Sequence, residues 1–167
     1  MNIVLIGMPG CGKSTVGVVL AKATGLSFLD TDLLIQDREQ QLLQQIIDAK
    51  GLSYFMKAEE EALCSVQCDN TVIATGGSAV YSEQAMRHLK SLGVVVYISL
   101  SLQEVEKRLN NLATRGVAGA ADKSLAELYA ERIPLYEQYA DFIIPCDGIS
   151  LTECMEKIRH QLRLTLL

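Results

Sequence analysis

The sequence predicts an α/β fold, a parallel sheet covered by helices on both faces. Two observations predict it. Short apolar runs alternate with helical stretches along the whole chain, the pattern of parallel strands joined by crossover helices. The first such unit encloses Gly7-Met8-Pro9-Gly10-Cys11-Gly12-Lys13-Ser14, a G-x-x-x-x-G-K-S loop set between a strand and a helix. At 167 residues, with no internal repeat or low-complexity linker, residues 1–167 are expected to form one domain.

Each element has a local reason. Asn2 to Ile6 is a continuous apolar run that suits a strand buried on both faces. The helix after the glycine loop is expected to end at Gly25. Residues 26–30 read as a short second strand, 33–49 as a helix closed by Gly51, and 53–67 as a helix with Phe55, Ala58, Ala62 and Val66 on its inner face. Thr71 to Ala74 is a strand broken by Thr75-Gly76-Gly77-Ser78. Residues 83–91 are helical, stopped by Gly93, and the β-branched run 94–98 is a strand. Ser101-Leu102-Gln103-Glu104 is a capping box opening a helix to about Asn111. Residues 111–123 carry Gly116, Gly119 and little apolar bulk, so a mobile loop is expected there. Ser124 to Glu127 is a second capping box; its helix should reach about Ala140, with a bend at Pro134. Residues 142–144 make a last strand, and 150–164 a last helix behind Ser150-x-x-Glu153.

Composition narrows the function classes. A net charge of −5 with no basic stripe argues against a nucleic-acid partner. The longest apolar run, near 94–100, is far too short to span a bilayer, and the apolar start has no basic flank, so neither a membrane partner nor a targeting segment is expected. Cys11, Cys64, Cys68, Cys146 and Cys154 lack paired C-x-x-C spacing and read as reduced thiols of a cytoplasmic protein, Cys64 and Cys68 as small core residues. His88 and His160 read as surface groups without partners.

The glycine loop carries the chemistry. Its glycines let the backbone curl so that amide N–H groups at Gly10, Cys11, Gly12 and onward face phosphate oxygens. The helix starting at Lys13 turns its positive dipole end, with Ser14 and Thr15, toward the same anion. Lys13 reaches the β- and γ-phosphates and the Ser14 hydroxyl ligates Mg²⁺, so ATP and Mg²⁺ are the expected cofactors. Asp30-x-Asp32 ends the second strand; two carboxylates there hold Mg²⁺ and orient a hydroxyl, or one of them caps the next helix, and both can hold together. Gly76-Gly77 follows a strand and offers backbone amides to substrate or phosphate, or is a plain turn. Because ligands of such sheets gather at the carboxyl ends of the strands, these three segments should converge. Arg115 and Arg132 are candidates to neutralise a transferring phosphoryl group or an anionic substrate, or are solvated surface charges.

Across nearly the whole chain the sequence resembles the shikimate kinases. The resemblance rests on G-M-P-G-C-G-K-S-T-V-G, F-L-D-T-D-L-L-I, A-T-G-G, Arg108 and Arg115 seven residues apart, and E-R-I-P-L-Y-E-Q-Y-A-D. It implies a three-layer P-loop kinase fold with a five-stranded parallel sheet in order 2-3-1-4-5, a lid at about 111–123 and an acceptor-binding segment at about 32–62. It implies ATP- and Mg²⁺-dependent transfer of phosphate to a hydroxyl of a small anionic molecule, by default shikimate, by a monomer. Lys13, Ser14 and Asp30 would serve MgATP, Arg108 would lie near adenine, Arg115 would be the lid arginine, Asp32 would bind the acceptor hydroxyl and Arg132 its carboxylate.

The departures fall on the acceptor side. The family's G-E-x-x-F-R-x-x-E is here Gly51-Leu52-Ser53-Tyr54-Phe55-Met56-Lys57-Ala58-Glu59; Met56 stands where an arginine helps grip the acid, and it cannot donate a hydrogen bond. Lys57, turned by about 100° on the helix, is expected to point elsewhere. Ser78 replaces a third glycine, and Arg115-Gly116-Val117-Ala118 replaces R-P-L-L. Two other readings stay open: a kinase for a different hydroxy compound, with Met56 lining a more apolar pocket, and a nucleotide-binding regulator without turnover.

Overall fold

The computed structural model describes residues 1–110 and 123–165. In chain order the elements are β1 Asn2–Ile6, α1 Lys13–Thr24, β2 Ser27–Asp30, α2 Thr31–Glu39, α3 Leu43–Lys50, α4 Leu52–Cys64, β3 Thr71–Ala74, a 3₁₀ turn Ala79–Tyr81, α5 Glu83–Leu92, β4 Gly93–Ser99, α6 Leu102–Asn110, α7 Leu125–Tyr139, β5 Phe142–Pro145 and α8 Leu151–Thr165. The strands form one parallel sheet in the order β2-β3-β1-β4-β5. This is the expected architecture, and it brings the segments after β1, β2 and β3 to one edge.

Registers follow burial. Every residue of β1 is buried, as a central strand packed on both faces requires. Its first residue is polar but satisfied: Asn2 Nδ2 donates to Cys68 O (2.7 Å) and Leu92 O (3.1 Å), and Thr71 N donates to Asn2 Oδ1 (3.0 Å). These bonds tie the start of β1 to β3 and to the end of α5. The main core lies around β1 and β4; a smaller cluster of Ile35, Ile46, Phe55 and Ala62 holds α2, α3 and α4 together.

Several boundaries differ from expectation. The single helix expected over 33–49 is two, α2 and α3, because Gln40 takes a left-handed conformation (φ 53°) at the end of α2. The Gln36 and Gln45 side chains then accept from Leu43 N and Leu42 N, restarting the helix. The polar run 38–41 offers no apolar residue to hold that turn against the core. α4 ends at Cys64 rather than 67, where Ser65 Oγ donates back to Ala62 O (2.7 Å). α7 continues through Pro134 without ending. His88 is half-buried, and its Nε2 donates to Val66 O (2.8 Å), so it is a tertiary contact and not a free surface group. His160 is exposed. All but Lys123 of the lid expected at 111–123 lies outside the described residues.

Candidate active site

The glycine loop curls as its residue types require. Gly10 (φ 77°) and Gly12 (φ 91°) occupy left-handed backbone, and a Cβ on Gly12 would lie 2.8 Å from Leu151 Cδ2. Gly12 caps α1 with no side-chain hydrogen bond, so the first amides of that helix face the cleft with its dipole behind them. Lys13 is only 7 % exposed. Its Nζ donates to Gly7 O (2.8 Å) and Met8 O (3.0 Å) and lies 3.6 Å from Cys11 Sγ. The ammonium is thus pinned beneath the loop by main-chain carbonyls.

The loop forms one end of a cleft of about 510 Å³. Gly10, Gly12, Lys13, Ser14, Thr15 and Arg108 line the loop end, and Asp32, Gly76, Gly77 and Arg132 line the other. Cys11 and Asp30 do not line it. Cys11 is buried behind the loop. Asp30 is the N-cap of α2, its Oδ1 accepting from Asp32 N (2.9 Å); this bond fixes the turn that delivers Asp32 to the cleft. Arg115 lies outside the described residues.

At the loop end, Arg108 Nε donates to Glu104 Oε1 (2.8 Å) and its Nη1 to Cys11 O (3.5 Å), which leans the guanidinium over the loop. At the other end Arg132 is 1 % exposed. Its Nε donates to Tyr81 Oη (3.2 Å), and Tyr81 donates in turn to Glu131 Oε1 (2.5 Å). Burial, first of all, raises the Tyr81 pKa, so the phenol stays a proton donor. Tyr136, stacked on Tyr97 at 5.1 Å, donates to Gly77 O (2.6 Å) and locks the glycine pair in place.

The two glycines matter for space as much as for their amides. A Cβ on Gly77 would lie 3.0 Å from Arg132 Nη1, and one on Gly76 would lie 2.6 Å from Glu59 Oε1 and 2.8 Å from Asp32 Oδ1. Glu59, absent from the sequence-derived site, is therefore the site's second carboxylate. It is 2 % exposed and lines the cleft. Burial pushes its carboxyl up to about 7; the Ser78 hydrogen bond opposes this, the Asp32 charge adds to it, and Arg132 and Lys13 pull it back. A signal for it existed: α4 buries Phe55, Glu59, Ala62 and Leu63, an i, i+4, i+7, i+8 face on which Glu59, not Ala58, is the inner residue.

Met56 does not line the cleft. It packs with Leu34, Leu43 and Ile47 against the smaller apolar cluster, while Phe55 and Leu43 supply the apolar wall. An apolar pocket built by Met56 itself is thus not what the fold provides. Lys57 points outward, its side chain 75 % exposed and 3.9 Å from Glu61, and does not stand in for an arginine.

Three cations, two carboxylates and a row of amides thus share one cleft. The residues fit a nucleotide's phosphate tail, since the glycine curl makes a cradle that a Cβ would obstruct. No group of three or more His, Cys, Asp or Glu side chains converges among the described residues; a divalent cation here would take most of its ligands from phosphate and water. No helix among the described residues is long and apolar enough to cross a membrane.

Comparison with known proteins places this cleft in context. The family model for shikimate kinase matches residues 9–163. A shikimate kinase of Francisella tularensis subsp. novicida is 35 % identical over 161 residues, covering 94 % of this chain and 92 % of that one. One of Paracidovorax citrulli is 36 % identical, covering 98 % and 93 %. Among solved structures, shikimate kinase from Aquifex aeolicus superposes with a TM-score of 0.86 at 32 % identity over 100 % of this chain and 99 % of that one. Shikimate kinase from Acinetobacter baumannii in complex with shikimate gives 0.87 at 30 % identity over 98 % and 93 %.

Proposed function

This chain belongs to the shikimate kinase family, phosphotransferases acting on a hydroxyl group, and from that membership and the cleft's geometry we propose that it transfers the γ-phosphoryl group of ATP to a hydroxyl of shikimate. The observation that carries the reading is the joint presence of Lys13 and Asp32 on one cleft with Arg132: a phosphate-binding cation, a carboxylate for the alcohol and a buried guanidinium for the acid. A Mg²⁺ ion bound with ATP would neutralise charge on the phosphates; Ser14, on the cleft wall, would hold it, and Asp30, set back from the cleft as the cap of α2, would reach it only through water.

The chain's own residues divide the work. The first-turn amides of α1 and the Gly10–Gly12 backbone hold the β- and γ-phosphates. Lys13, already desolvated, stabilises charge that grows on the transferred group. Asp32 accepts the hydrogen bond of the acceptor hydroxyl, orients it in line and takes its proton as the bond to phosphorus forms. Arg132, steadied by Tyr81, receives the acceptor's carboxylate. Arg108 packs against the adenine. Arg115, assigned from sequence alone, would add a second cation to the transferring group. Among the described residues both ends of the cleft are lined by one chain, which supports action as a monomer; the net charge of −5 without a basic stripe supports a protein with neither nucleic acid nor membrane as partner, and the cysteines without paired spacing a cytoplasmic one.

The test is a coupled ADP-release screen with ATP and Mg²⁺ across shikimate, quinate, gluconate and homoserine. ADP release with shikimate well above the others is the expected result. Turnover only of a different hydroxy compound would reassign the acceptor, and ATP binding without turnover on the whole panel would make the chain a nucleotide-binding regulator.

A further inference from the structure

Among the described residues Arg132 is the cation of the cleft's acceptor end, while Lys13 and Arg108 line the loop end. The arginine that the family's motif would add is here Met56, which packs on the smaller apolar cluster. The grip on an anionic acceptor therefore falls to one guanidinium, and its aim decides how strong that grip is. The aim is set from behind. Neither Tyr81 nor Glu131 lines the cleft. Tyr81 ends the 3₁₀ turn that follows Gly76-Gly77, and its N donates to Ser78 O (3.0 Å). Its ring centre stands 5.2 Å from Arg132 Cζ, a cation–π contact. Its hydroxyl accepts from Arg132 Nε (3.2 Å). A phenol has one proton to give. Tyr81 gives it to Glu131 Oε1 (2.5 Å), which turns its lone pairs toward Arg132. Lys123 Nζ donates to the other Glu131 oxygen and holds that carboxylate in turn. With Nε turned to Tyr81, Nη1 faces the space over Gly77, 3.0 Å from where a Cβ there would stand.

We propose that Tyr81, oriented by Glu131, is a positioning residue that fixes the Arg132 guanidinium for the anionic group of the acceptor. The inference deepens the phosphotransfer reading and rests on it, because it takes Arg132 as the site of that anion. Two physical effects carry it. An arginine side chain loses much rotamer freedom when a ligand orders it; ordering it beforehand removes that cost from binding. The chain Arg132–Tyr81–Glu131 also keeps a carboxylate two hydrogen bonds away from a guanidinium that is 1 % exposed, which offsets part of the cost of burying the charge. Glu131 is itself 39 % exposed on its side chain, so the chain runs from the surface to the acceptor end without touching the ligand.

The experiment measures kcat and KM for shikimate, KM for ATP, and the inhibition constant of a neutral shikimate analogue with a methyl group in place of the carboxylate. Tyr81→Phe keeps the ring over Arg132 and removes the hydroxyl. It should raise KM for shikimate by about 5- to 20-fold, with kcat within about threefold and KM for ATP unchanged. The inhibition constant of the neutral analogue should stay within about twofold of wild type, since that ligand brings no anion to Arg132. Glu131→Ala should raise KM for shikimate by about 2- to 5-fold, less because water can replace an exposed carboxylate; it also serves if Tyr81→Phe does not fold. An equal weakening of shikimate and the neutral analogue would make Tyr81 a support of the fold and overturn the assignment. An unchanged KM for shikimate in a variant that folds overturns it as well. Wild-type protein that does not turn over shikimate overturns the phosphotransfer reading, and this inference with it; wild-type turnover with a KM insensitive to Tyr81 overturns the inference alone.

Discussion

The phosphate end of the cleft is shaped by backbone, and the acceptor end by buried side-chain charge. At the first, Gly10 and Gly12 in left-handed conformation aim amides inward and Lys13 is pinned by two carbonyls. At the second, Asp32, Glu59 and Arg132 crowd two glycines whose missing side chains leave them room. The difference explains where this chain departs from its family. A cradle of main-chain groups accepts almost any intervening side chain, so long as its glycines stay. A wall of side chains changes ligand preference with every substitution; Ser78 falls in it, and Met56 lies behind it, against the cluster that seats Phe55.

Removing the cation at the phosphate end should have the largest effect. Lys13→Ala is expected to lower kcat by about 10³-fold or more, because a desolvated charge at the transferring group has no replacement. Steady-state rates at saturating ATP and acceptor check it; a loss under about tenfold would remove Lys13 from the transition state.

The acceptor end carries a cost in stability that the phosphate end does not. Glu59 has its carboxyl raised to about 7 from 4.5. Between those values the unfolded chain releases the proton first, so stability falls as pH rises across the window, by about 3 kcal/mol, and levels off above it. Glu59→Gln should flatten that fall. Urea unfolding at pH 5 and pH 8 for both proteins measures it, and equal slopes would mean that Glu59 ionises without penalty.

The two glycine sets should respond in opposite parameters. Gly12→Ala, strained at positive φ and 2.8 Å from Leu151 Cδ2, should raise KM for ATP by about 10- to 100-fold and leave KM for the acceptor nearly unchanged. Gly76→Ala pushes on both carboxylates and should do the reverse. Matching changes in both parameters for either variant would dissolve the distinction between the two ends. The smallest effect belongs to Lys57: Lys57→Ala should change stability by less than about 0.5 kcal/mol and leave kinetics alone, since its ammonium reaches only Glu61 at the exposed surface.

What could be read from sequence follows the same division. The cradle is a contiguous motif whose residue types each have a local reason, and Asp32, Gly76, Gly77 and Arg132 stand in short recognisable segments. The sheet order follows the family resemblance. Glu59 stands at the last glutamate of the family's motif but carries no role in the sequence reading, because Glu59-Glu60-Glu61 looks like a solvated helix face; its inward turn shows only in its spacing with Phe55, Ala62 and Leu63. The break between α2 and α3 escaped because Gln40 takes a conformation usually marked by glycine. The His88 bond to Val66 O joins residues 22 apart in sequence, beyond any local pattern.

The central claim is that the alcohol meets Asp32 in the same cleft where the phosphate tail meets Lys13. The direct measurement is paired: ATP affinity by calorimetry and ADP release with shikimate, for wild type and Asp32→Ala. The account predicts ATP affinity within about threefold of wild type and turnover reduced by about 10³-fold or more. Wild-type turnover in the variant, or ATP binding lost together with turnover, would contradict it.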